Sequence, residues 1–261
     1  VPGIGLVRNL VTDPYAVSLN ANSQRSHLID LNDPSLQPAG WATDGPPATV
    51  DRPTDMVIYE LHVRDFSISD DSVPPDHRGK YLAFTHSTSR GMQHLKALAR
   101  AGMTDVHLLP VFDLASVPET GCVTPHLTGD AASESQQAAV KAVAAQDCFN
   151  WGYDPLHFNA PEGSYATNAH DGSRRVVEFR QMVQALHRAG LRVGMDMVYN
   201  HTSASGQHAQ SVLDRIVPYR HPLVDLLLVD RSATTLAVVI VAAVVSIVCA
   251  GLPHPGHTVQ R

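Results

Sequence analysis

No long run of Lys or Arg occurs in the 261 residues, and 19 basic against 25 acidic side chains leave a formal charge of -6. A nucleic-acid surface is therefore not expected, since such surfaces gather positive charge in runs or patches. Cysteine is scarce: Cys122, Cys148 and Cys249 lie far apart with no Cys-x-x-Cys spacing. That excludes the usual zinc ribbon and a dense disulfide framework, and leaves one Cys122–Cys148 bridge open for an oxidising compartment. No Gly-x-Gly-x-x-Gly follows any strand-like run, which removes the usual dinucleotide reading. The opening Val1-Pro2-Gly3-Ile4-Gly5 has neither a charged leader nor an apolar core, and without an initiating Met it reads as the interior of a longer chain.

What is present is a globular pattern long enough to bury a sizeable core. Residues 1–50 alternate short apolar and polar stretches around Asp13-Pro14, Asp33-Pro34 and Pro46-Pro47, the pattern of small strands and turns. We read them as the end of a β-rich module, with Tyr15 and Trp41 as core aromatics in preference to ligand-stacking ones and residues 41–53 as linker. In residues 56–66, Val57, Tyr59, Leu61 and Val63 alternate with Ile58, Glu60, His62 and Arg64, a strand by its period of two. Ser89 caps a helix with Met92, Leu95 and Leu98 or Ala99 on one face, closed by Gly102. Residues 103–112 supply a second strand, so the unit is βαβ with parallel pairing.

Residues 113–147 are too long for an ordinary connection and read as a surface insertion with a modest helix over 131–145. Phe149, Trp151 and Tyr153 then fall in a non-periodic stretch, where aromatic faces suit the apolar face of a sugar or pin the loop. Asp171 caps a helix with Val176, Phe179, Met182 or Val183 and Leu186 inward, ending at Gly190. The strand over 192–199 leads into Asp196, Asn200 and His201, groups costly to bury without partners. Polar residues at the ends of parallel strands fit a (β/α)8 barrel, with a doubly wound sheet as the alternative.

Five stretches, in order, carry a resemblance: Tyr59-Glu60-Leu61-His62-Val63-Arg64-Asp65-Phe66, Arg78-Gly79-Lys80-Tyr81-Leu82-Ala83-Phe84, Asn150-Trp151-Gly152-Tyr153-Asp154-Pro155, Pro161-Glu162-Gly163-Ser164-Tyr165 and Asp196-Met197-Val198-Tyr199-Asn200-His201. Together they resemble the α-amylase superfamily, pullulanase and limit dextrinase type, over 51–218 and weakly through 1–50. The fold so implied is α/β: a partial (β/α)8 TIM barrel, its first three βα units, preceded by the end of a β-sandwich module over 1–50. The implied chemistry is retaining hydrolysis of α-1,6-glucosidic bonds in pullulan, glycogen or starch dextrins.

Carried over by resemblance, Tyr153 is the platform under the sugar, with Trp151 and Asp154 substrate-binding in the same loop. His201 is similar to the residue that hydrogen-bonds the sugar hydroxymethyl. Asp196 resembles the carboxylate that orients an Arg beside the nucleophile, and Asn200 the residue bracing the next loop, which in some relatives binds calcium. No other cofactor is implied, and such relatives point to an extracellular or periplasmic site.

The chain departs from the pattern downstream. The family's nucleophile and acid lie on later strands, yet no Glu follows Glu178, and Asp214, Asp225 and Asp230 sit in no Arg-x-Asp. A truncated chain without hydrolysis is therefore expected, the alternative being a non-catalytic α-glucan-binding or membrane-anchored remnant. Over 219–261 the text diverges, and 232–252 is free of charge, about the length that crosses a bilayer. Two readings stand there: a genuine membrane span, or translation of a shifted frame.

Overall fold

The period-two run over 56–66 stays a strand for only its first half. In the computed structural model, which describes residues 10–130, 132–206 and 208–212, β1 is Ile58–Leu61. The chain then turns into helix α1, Val63–Ser67, because the His62 side chain accepts the Asp65 N–H at 3.3 Å and caps it. Phe66 is drawn inward to stack on Phe84 at 4.3 Å. The strand expected through Val63 and Phe66 is thus corrected by a local cap and an aromatic contact.

Helix α2, Arg90–Arg100, is capped by Ser89 as expected, buries Met92 and Leu95, and is followed by Gly102 at φ 105°. β2, Asp105–Leu108, stops short of Pro110, which has no N–H to give a ladder. The single strand expected over 103–112 therefore splits, and β3, Phe112–Leu114, joins another sheet. Helix α3, Glu134–Val143, lies in the insertion and buries nothing. A Cys122–Cys148 disulfide with a Cα–Cα distance of 4.9 Å closes the excursion. The insertion's first residues are not surface, since Asp113 and Leu114 are buried. β4, Pro155–Pro161, pairs antiparallel with β3; the terminal prolines hid it, because Pro is rare within strands.

Helix α4, Gly172–Arg188, starts where Asp171 accepts the Ser173 N–H, and Val176, Phe179, Met182, Val183 and Leu186 are all buried. After Gly190 at φ 87° comes β5, Arg192–Met195, half the length expected. The main sheet is parallel in the order β1-β2-β5, with Leu61 opposite Leu108 and Leu108 opposite Met195. One core of Val106, Leu108, Met92, Leu95, Met182 and Leu186 lies between this sheet and the two crossover helices. Each such side chain contributes about 1.5–3 kcal/mol on burial.

In place of the small strands expected before residue 50, residues 10–50 form 3-10 turns and one isolated bridge, Leu19 to Ser26. Asp13, Asp30 and Asp33 each accept the backbone N–H two residues on, a local pairing that competes with ladders. The segment lies on α4: Arg180 sits 5.1 Å over the Trp41 ring and donates to the Leu31 and Leu36 carbonyls at 3.0 Å. Trp41 is thus core rather than linker, whereas Tyr15 is 80% exposed, against its expected core role. Among the described residues no helix is long and apolar enough to cross a membrane. The 219–261 tail with its apolar 232–252 stretch, and Asp214, Asp225 and Asp230, lie outside the described residues.

Candidate functional site

The loop between the insertion and β4 is built around a glycine. Gly152 has φ 97°, and a Cβ there would lie 2.8 Å from Pro110 Cβ, so only Gly fits the backbone onto the end of β2. Asn150 Oδ1 accepts the Gly152 N–H at 2.8 Å, while its amide donates to Asp154 Oδ1 at 2.7 Å. Asp154 Oδ2 accepts the Ser116 N–H at 2.8 Å. Behind the loop, buried His62 meets the Asn150 carbonyl at 2.7 Å, and its ring packs against Phe149, which in turn meets Trp151. With its base so fixed, the loop presents Trp151 at 62% and Tyr153 at 44% exposure.

Tyr153 is gripped at both ends. His201 Nε2 lies 2.8 Å from its carbonyl oxygen, and its hydroxyl donates to Asp196 Oδ2 at 2.7 Å. Asp196 directly follows β5, and its own N–H donates to the Leu108 carbonyl at 2.9 Å. The hydrogen bond to Asp196, then partial burial and the charges of Asp196 and Glu60, push the Tyr153 phenol up to about 12. The site therefore offers a neutral aromatic face held by a carboxylate and an imidazole, a surface on which an apolar sugar face can stack.

No protein-family model matches the chain. It is 41% identical over 252 residues to a pullulanase of Klebsiella pneumoniae, covering 80% of this chain and 23% of that protein. Against pullulanase 1, chloroplastic, of Arabidopsis thaliana the identity is 44% over 215 residues, covering 79% and 22%. A crystal structure of Klebsiella pneumoniae pullulanase complexed with maltotriose superposes with a TM-score of 0.71 at 40% identity, covering 80% of this chain and 24% of that one. By sequence and fold, the chain belongs to the pullulanase family. It spans a quarter or less of the length of the curated pullulanases it matches.

Of the residues singled out in this pullulanase-family sequence, Tyr153, Asp196 and His201 come together and Trp151 stands beside them. Asp154 is turned inward as the brace of the loop, so both its oxygens are engaged by protein N–H groups. Asp196 holds the Tyr153 hydroxyl. Asn200 is exposed. Among the described residues the one trio of His, Cys, Asp or Glu side chains close enough together to hold an ion is Asp113, Glu119 and Glu162. That trio is already answered by the buried Arg175, 2.9 Å from Glu119 and 3.5 Å from Asp113.

This buried cluster supports the site from below, since it locks β3 to β4 and β4 begins right after Asp154. His157 Nδ1 lies 2.7 Å from Asp113, and Glu162 accepts the Leu114 and Ser164 N–H groups at 2.7 Å. Burial, then the negative charges of Glu119 and Asp113, push the Glu162 carboxyl up to about 8. Burial raises Glu119 too, against the pull of Arg175. Sequence reasoning missed His62, Asn150 and His107 as site residues. For His107 a signal existed: it is a polar position between Val106 and Leu108 in the strand.

Proposed function

We propose that this chain is part of a pullulanase-type debranching glycoside hydrolase, with the first βα units of a (β/α)8 barrel, that takes α-glucans such as pullulan, glycogen or limit dextrins. Tyr153, Trp151 and His201 form its sugar platform. The observation that carries the reading is the exposed Tyr153 ring held from its carbonyl by His201 and from its hydroxyl by Asp196. The maltotriose complex of the Klebsiella relative supports this choice of ligand. Retaining hydrolysis needs two carboxyls about 5 Å apart across the bond. Here Asp154 and Asp196 are both engaged in holding the loop, so the reading assigns this chain binding without cleavage and no required cofactor.

The Cys122–Cys148 disulfide supports an oxidising, extracellular or periplasmic setting. No nucleic-acid partner belongs to this reading, and a membrane partner enters only through residues 232–252. Calorimetric titration of the full chain with maltotriose tests the proposal, alongside an assay for reducing sugar from pullulan. Saturable binding abolished by Tyr153→Ala, with no sugar released, is expected. Binding that survives Tyr153→Ala overturns the platform, and sugar release overturns the assignment of binding without cleavage.

A further inference from the structure

Beneath the Tyr153–Asp196 pair stands a side chain that this reading leaves unused. β2 places His107 opposite Glu60 on one side and Gly194 on the other. Gly194 has no side chain, and even a Cβ there would meet nothing within 4 Å. The imidazole therefore has a clear path along the sheet face to the residue two places beyond Gly194. His107 Nε2 lies 2.7 Å from Asp196 Oδ1. Out of line for a hydrogen bond, that nitrogen is buried and has no other partner. The other oxygen of the same carboxylate takes the Tyr153 hydroxyl at 2.7 Å.

We infer that His107 is a positioning residue for sugar binding: it fixes the Asp196 carboxylate from below so that Asp196 in turn fixes the attitude of the Tyr153 ring. The inference rests on the reading of Tyr153 as a sugar platform. A buried imidazole nitrogen with one neighbour has no reason to point elsewhere, because an unpaired buried polar atom is costly. A carboxylate held at both oxygens loses the rotation that would let the phenol swing. No contact between His107 and the sugar is required.

The test is a double-mutant cycle on the full chain with maltotriose as probe. His107→Ala should weaken binding by up to about fivefold, the scale of a partly exposed ion pair. His107→Gln, which keeps an N–H donor, should restore most of that loss. In a Tyr153→Phe background, where Asp196 has no hydroxyl to hold, His107→Ala should add no further loss. Additive losses, or no loss in His107→Ala, overturn the inference. A second readout does not depend on sugar: in ring-labelled tyrosine spectra of the free chain, the signal missing from Tyr153→Phe should move in His107→Ala. A signal that stays in place overturns the coupling. If the parent chain fails to bind maltotriose while the signal moves, the sugar platform falls and the His107–Asp196–Tyr153 coupling stands.

Discussion

Removing the Cys122–Cys148 bridge, by Cys122→Ser with Cys148→Ser, should destabilise the chain by an amount set by its spacing of 26 residues. In the chain-entropy account, a closed loop of that size restricts the unfolded state by about 3.5 kcal/mol at room temperature. The folded state takes some of this back, because α3 buries no residue and the freed insertion gains motion of its own. Two backbone bonds outlast the bridge, from the Val123 N–H to the Gln146 carbonyl and from the Cys148 N–H to the Val123 carbonyl, and they limit that gain. A net loss of about 2–3.5 kcal/mol is expected, which at a slope of about 2 kcal/mol/M moves the urea midpoint down by about 1–2 M. The assay is urea unfolding followed by circular dichroism, in a Cys249→Ser background so that no third thiol shuffles. An unchanged midpoint would mean that the insertion is already free in the folded chain, and would refute the claim that the bridge closes it.

Gly152→Ala sets a Cβ 2.8 Å from Pro110 Cβ at φ 97°, a cost of about 2–4 kcal/mol from left-handed strain and overpacking. Maltotriose affinity should fall with it as the loop lifts off Pro110, and retained affinity with an unchanged melting temperature would contradict the fit. Stability should also fall as pH rises. The Glu162 carboxyl is pushed up to about 8 when folded, against 4.5 for a free Glu side chain, so between those values the folded chain keeps a proton the unfolded chain has released. This one group contributes a slope of up to about 1.4 kcal/mol per pH unit, favouring the acid side of the window. Urea midpoints from pH 5 to 8 should slope downward in the parent and more weakly in Glu162→Gln; equal slopes would show that Glu162 does not carry the effect.

The helices were legible because their signals are local. Ser89 and Asp171 cap, Gly102 and Gly190 close, and the apolar faces of α2 and α4 are the ones buried. The parallel order followed from alternation alone. What was not legible depends on contacts distant in sequence. A period of two could not reveal that His62 would cap a helix at its own position. Nor could it show that Arg175 and Arg180 on a helix face would be buried, since partners such as Glu119 and the Leu36 carbonyl lie more than 50 residues away in the chain. β4 was hidden because a buried His157 paired to Asp113 reads as a loop polar residue. At the site, the aromatic loop and the Asp196 to His201 cluster were found in sequence, and the inward turn of Asp154 was not, because it depends on the Ser116 N–H.

The two arginines of α4 bear on where this polypeptide can be divided. Composition marks the proline-rich stretch near residues 46–53 as the natural place to begin a shorter version. Such a cut would carry off the Asn20 carbonyl that meets Arg175, the Leu31 and Leu36 carbonyls that meet Arg180, and the indole beneath that guanidinium. Arg180 would lose these acceptors and its indole to the discarded piece, and Arg175 one of its acceptors, exposing the back of the sheet's main crossover to water. A useful boundary therefore lies upstream of these turns, and the first fifty residues belong with the helix they cover.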